Sequence, residues 1–321
     1  LFSISCFANI LGLNISASFN SAKVIYIIIP ILIIPQLLFS GVIVKFDKLY
    51  PMFASQSSVP WIGNIMSSRW GYEALAVYQY KNNAYDSEFY ELDAKISQYA
   101  WKRDFWSKEM SNIIDDTRKQ IEGTKGARDL ENNLNILRNE MAKELIDVKG
   151  LRFGQLDQLK LGTATVAMLD STQRSIDQLI QYYKANYRQV ARAQDGKHTR
   201  LSKEDGGREA LKTLNNEHHN DRLEEFVTNR NDIKRIVTYN DELVQKEDLV
   251  YLPPKHKSFF KAHFYAPTKN FFGKQIPTFQ ANMLVVWGMT LLLSIVLFFD
   301  GIRKLLEGSG ELIGRLMGKG Q

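Results

Sequence analysis

The chain has 321 residues, 45% hydrophobic and 24% charged, and 41 Lys and Arg against 35 Asp and Glu leave a net charge of +6. The Lys and Arg are interleaved with Asp and Glu and form no basic stripe, which excludes nucleic acid as a partner. The single cysteine, Cys6, lies in an apolar stretch, which excludes a disulfide framework and a thiolate metal site.

A mean hydropathy of −0.25 conceals a segregation: apolar residues gather at both ends, and nearly all charge lies between Asp86 and Lys261. The first residue is Leu1 and the first segment begins in mid-pattern, so the expectation is the C-terminal part of a longer protein. Residues 1–20 carry no basic n-region with a cleavage site and do not read as a signal peptide. Residues 1–18, punctuated by Ser3, Ser5, Asn9, Gly12, Asn14 and Ser16, suit the end of one span packed against neighbouring helices. The run 24–44 is uncharged over 21 residues, which at 1.5 Å per residue matches a hydrocarbon core of roughly 30 Å. Pro30 and Pro35 permit a kink in it. Residues 48–80 turn apolar again but are interrupted by Pro51, Pro60, Gly63 and Gly71, as expected of a re-entrant segment that dips into a membrane and returns.

Between 81 and 250 the composition changes, and four stretches show helical periodicity. They are Ile96-Tyr99-Trp106-Met110-Ile113, Leu130-Leu134-Leu137-Met141-Leu145-Val148, Val166-Leu169-Ile176-Ile180-Tyr183-Tyr187-Val190, and a looser Leu211-Leu214-Leu223-Phe226-Ile233-Val237. Ser202 and Asp205 have capping-box spacing. The stripes predict a helical bundle or coiled-coil hairpin whose core should let 87–247 fold alone, and no strand is predicted. In 251–279, aromatic residues such as Phe259, Phe264 and Phe271 alternate with lysines including Lys261, Lys269 and Lys274, a pattern of interfacial anchoring. A last span occupies 280–300, and a short basic tail, 301–321, follows. The predicted fold class is all-α: polytopic membrane helices, a re-entrant segment and a large inserted extramembrane helical domain.

No catalytic constellation emerges. The G-x-x-x-x-G-K-[ST] loop is absent, and Gly308-Ser309-Gly310 has no Walker motif before it. His218-His219 lacks the i,i+4 spacing of helical zinc sites and reads as part of a solvated helix face, so no metal is assigned. Glu224-Glu225 and Asp115-Asp116 read as water-facing carboxylates. Arg69 and Glu73, four apart, would share a helix face and could pair, either as a functional intramembrane pair or as a fixture of the fold.

The order of span, Phe39-Ser40-Gly41, dip, and Arg69-Trp70-Gly71-Tyr72-Glu73-Ala74-Leu75 resembles the last third of G-subfamily ABC exporter permeases, the type 2 exporter fold of ATP-binding/permease fusions. The resemblance covers about 12–80 and the final span, and not the middle of the chain. It implies a membrane permease moving a lipid-like or hydrophobic substrate, with ATP and Mg on a nucleotide-binding domain that precedes these residues. It also implies two permease copies, as homodimer or pseudo-dimer, around one pathway in an inner-membrane protein, with 81–275 extracytoplasmic and the tail inside. Arg303-Lys304 after the last span agree with that orientation, whereas Lys45 and Lys48 do not. Pathway-lining residues would then be Pro30, Ile34 and Leu37. The gate would be Val42-Ile43, where the family carries bulky leucines. The family's outer loop is usually much smaller than 82–275, so the insert is expected to dock an extracytoplasmic protein or the other protomer. The alternative is a two-span membrane-anchored sensor or scaffold with a helical binding domain.

Overall fold

A computed structural model of the chain describes residues 1–305 apart from positions 20, 51, 53, 124–128, 155 and 205. The Ser202–Asp205 capping box and the Gly308-Ser309-Gly310 tail therefore lie outside the described residues. The fold is mostly helical. It divides into two compact units, one built from 1–79 with the chain from 253 onward, the other from 80–252.

In the first unit, α1 (Phe2–Ser18) packs along α11 (Thr278–Phe298), and Phe7, Trp70 and Val286 form its buried apolar cluster. Asn14, buried on α1, donates to the carbonyls of Ile10 and Leu293 at 2.9 and 3.0 Å, so its amide N–H groups are satisfied between these apolar helices. Among the described residues α11 alone is long and apolar enough to cross a membrane; α1 and α2 (Ala22–Leu38) are apolar but shorter, 17 residues each. The 21-residue span expected over 24–44 is thus corrected to a helix of about 25 Å followed by a turn.

The cause of that early stop is local. Ser40 Oγ donates to the Leu37 carbonyl at 2.7 Å and accepts from the Val42 N–H at 3.3 Å, an alternative to the next helical bonds. Gly41 then takes a left-handed φ of +82°, and a Cβ there would lie 2.5 Å from the Phe46 ring. The Phe-Ser-Gly motif is a helix terminator with an aromatic ring tucked beneath it. Two helices follow, α3 (Trp61–Ile65) and α4 (Ser67–Asn82). Ser68 Oγ donates to the Gln36 carbonyl at 2.6 Å and fastens the start of α4 to the end of α2.

The predicted absence of strands fails twice. In the first unit β3 (Thr268–Phe271) and β4 (Lys274–Pro277) pair antiparallel across Phe272-Gly273, with φ of +46° and +82°. In the second, β1 (Ile236–Tyr239) pairs β2 (Glu242–Gln245) across Asn240-Asp241, with φ of +50° and +56°. Two-residue loops with both φ positive match the twist of the flanking strands, and Asn, Asp and Gly tolerate them.

The second unit is a helical bundle. α5 (Asp86–Trp101) continues through a π turn, Lys102–Trp106, into α6 (Ser107–Ile121). The wide turn resets the helical phase so that Trp101 and Trp106, five apart, both enter the core. α7 (Leu130–Asp147) and the 36-residue α8 (Val166–Leu201) complete the seam. Met110, Ile114, Leu137, Met141, Leu169 and Ile176 are fully buried there, each contributing about 1.5–3 kcal/mol over an exposed position. Three predicted stripes supply this core. The fourth is not a long helix: it becomes α9 (Gly207–His218), α10 (Asp221–Thr228) and the β1–β2 hairpin, leaving Ile233 97% exposed. Asn220 breaks it, because its side chain accepts from the Leu223 N–H at 3.0 Å and starts a new helix.

Candidate functional site

The densest buried chemistry of the first unit centres on Glu73 in α4. Its carboxylate is fully buried and collects four donors. Arg69 Nη1, one helical turn back, donates to Oε2 at 3.1 Å, and Asn282 Nδ2 at the start of α11 donates to the same oxygen at 2.8 Å. Lys269 Nζ from β3 lies 3.0 Å from Oε1 and 2.9 Å from Oε2, and the Tyr265 N–H reaches Oε1 at 3.2 Å. The guanidinium of Arg69 also lies 3.6 Å above the Trp70 ring, a cation–π contact, and its Nη2 donates to Asn64 Oδ1 at 2.8 Å. Trp70 is pinned in turn, its Nε1 donating to the Asn64 carbonyl at 2.8 Å and its ring stacking on Phe259.

Two cations and one anion are therefore enclosed together. Each costs several kcal/mol to desolvate, repaid only where the remaining polar atoms find partners. Two atoms do not: Arg69 Nε and Asn282 Oδ1 are buried with none among the described residues. Burial pulls the Lys269 ammonium down to about 8, against the pull of Glu73 and with the repulsion of Arg69. The cluster offers no nucleophile beside a base. Its chemistry is that of a clamp: α4, the β3–β4 hairpin and the N-terminal part of α11 are tied through one carboxylate.

Lys269 corrects the sequence reading, which placed it among interfacial anchors; it is 0% exposed because a carboxylate from α4 receives it. Phe272, 93% exposed, does point outward. Asn282 was also missed, although an amide at the head of the apolar run 283–299 was the available signal. The candidate pathway residues lie elsewhere. Pro30, Ile34 and Leu37 share one face of α2 and are all exposed, and no described residue of that helix is buried. Val42, half-buried, and Ile43, 64% exposed, sit in the bend after the helix and not on it.

In the second unit the two histidines part company. His218 is exposed, as a solvated face requires, whereas His219 is half-buried at the end of α9 and bonds Asp86. Glu224 does not simply face water either; it pairs with Arg230 at 2.7 Å. Comparison with family models, with curated proteins and with solved structures finds no match for this chain.

Proposed function

We propose that the chain is the permease portion of an ATP-driven exporter of the G-subfamily type, moving a lipid-like or hydrophobic substrate. ATP and Mg are bound by a domain outside these 321 residues. The observation that carries this reading is α2: from Val24 to Pro35 its only polar side-chain atom is the Tyr26 hydroxyl, and none of its described residues is buried. A helix apolar on all sides requires lipid or another helix around it. In this reading α1, α2 and α11 are membrane helices, 48–80 is re-entrant, and 81–275 is extracytoplasmic in an inner-membrane protein. A second permease copy faces the Pro30–Ile34–Leu37 side of α2. The second unit, with a core of its own, is the docking module. The Glu73 clamp then fixes the end of the re-entrant segment to the last span.

A membrane-anchored sensor is the second reading, favoured by α11 being the one described helix both long and apolar enough to cross a membrane. The two separate in one experiment. The full-length protein in liposomes should move a hydrophobic fluorescent probe with ATP, and Ile34→Ala, Leu37→Ala, Val42→Ala and Ile43→Ala should lower that movement several-fold at unchanged abundance. No ATP-driven movement by the wild type favours the sensor. Movement unchanged in all four variants removes the pathway and gate from these residues.

A further inference from the structure

His219, Asp221 and Glu224 place one imidazole nitrogen and two carboxylate oxygens within 4.8 Å of one another. All three come from the junction of α9 and α10. His219 is the first residue after α9, Asp221 opens α10, and Glu224 follows one turn later, on the same side of the helix. Glycine-free and only three residues long, the link His219-Asn220-Asp221 is held by the Asn220 cap, which fixes the backbone positions from which the three side chains start.

The imidazole is oriented from behind. Its Nδ1 lies 2.9 Å from Asp86 Oδ1 and 3.1 Å from Oδ2. Asp86 is itself buried and fixed by Asn83, whose Nδ2 donates to Oδ2 at 2.6 Å and whose Oδ1 accepts from the Asp86 N–H at 2.8 Å. In the tautomer that gives Nδ1–H to Asp86, Nε2 carries the lone pair. It faces Asp221 Oδ1 and Glu224 Oε2, at 3.3 Å each.

Those two distances are longer than a charge-assisted N–H···O bond, about 2.7–2.9 Å, and one N–H cannot aim at two acceptors at once. Each is the length of a tetrahedral edge around an ion with ligand bonds of about 2.0–2.1 Å, about 3.3–3.4 Å, while the two carboxylate oxygens lie within 4.8 Å of each other and close on the ion through the exposed Asp221 side chain. A backing carboxylate, a histidine and a cation is also the usual outer-shell order at zinc. We propose that His219 Nε2, Asp221 Oδ1 and Glu224 Oε2 bind a divalent cation of the zinc class. Asp86 is the positioning residue, and the fourth position is open to water beside the exposed Asp221. The site stands whether or not the chain is a permease.

The test uses the purified full chain, stripped with chelator and titrated with Zn2+ and, as a spectroscopic probe, Co2+. One equivalent of Zn2+ should bind saturably, and Co2+ should give the intense visible bands of a tetrahedral N/O site. His219→Ala should abolish both. Asp221→Asn, which alters only an exposed side chain, should weaken binding at least tenfold without changing the fold, and His218→Ala should change nothing. Asp86→Asn should weaken Zn2+ about 10–100-fold while leaving the Co2+ bands in place. Absence of saturable binding, or binding undiminished in Asp221→Asn and His219→Ala, overturns the site.

Discussion

Glu73 and Lys269, 196 positions apart, form an ion pair of 2.9 Å in which neither side chain is exposed. The pair is one half of a lopsided arrangement, since Arg69 adds a second buried cation to the single carboxylate. Removing different members therefore has different consequences. Glu73→Gln leaves two uncompensated cations and should cost about 3–5 kcal/mol. Lys269→Met leaves the Arg69–Glu73 pair intact and electrically balanced, with Asn282 and the Tyr265 N–H still donating, and should cost at least about 2 kcal/mol less. Thermal unfolding of the detergent-solubilised variants gives the order. Equal loss in both, or a greater loss in Lys269→Met, would show that the excess cation is not what the carboxylate balances.

The Phe-Ser-Gly turn is open to an equally direct comparison. Gly41 combines a left-handed φ with a Phe46 ring that a Cβ would meet at 2.5 Å, whereas Gly12, inside α1, has nothing within 4 Å. Gly41→Ala should destabilise by about 1–2 kcal/mol from backbone strain alone, and by more where the ring is displaced. Gly12→Ala should be neutral or stabilising by up to about 1 kcal/mol, since alanine is the better helix former. Unfolding midpoints of the two variants check this, and similar values would mean that the turn does not depend on glycine.

Much of the bundle could be read from spacing. Leu134, Leu137 and Met141 fall 3–4 apart and are buried in one seam, as are Met110 and Ile113 and, on the facing helix, Leu169 and Ile176. Periodicity works there because a helix must present one face to the core over many turns. It failed between 211 and 237, where the apolar spacing persisted but Asn220 starts a new helix and Asn229, at a left-handed φ of +55°, ends it. Turn chemistry overrides periodicity over so few residues, and a four-residue strand shows too little alternation to register. The same stripes hid two acids. Glu140 and Glu144 on α7 are buried, the first accepting from Trp106 Nε1 at 2.8 Å, the second paired with Lys102 and Tyr183. For the clamp, Arg69 and Glu73 were visible as an i,i+4 pair. No local pattern says which of many lysines returns to them, because that choice is made by the path of the chain through the β3–β4 hairpin.

A half-buried acid in the second unit sets a dependence on pH. Asp93, on α5, is pushed up to about 6 from 3.8, first by burial, with Asp86 and Glu224 adding to it and the Gln194 amide and Arg230 opposing. Gln194 Nε2 donates to Asp93 Oδ1 at 2.5 Å, a bond that an amide in place of the carboxylate can still accept. The folded chain therefore holds this proton more tightly than the unfolded chain does. Stability falls as pH rises from about 4 through about 6, because the native state alone retains the proton over that window, and it levels off above. The ionised side chain costs on the order of 2–3 kcal/mol at pH 8. Asp93→Asn should remove that cost: higher melting temperature than the wild type at pH 8, little difference at pH 4, and a shallower slope between. The measurement is thermal unfolding of the full chain across this range with chelator present, so that cation binding at His219 does not enter. An unchanged slope in Asp93→Asn would assign the proton to another group.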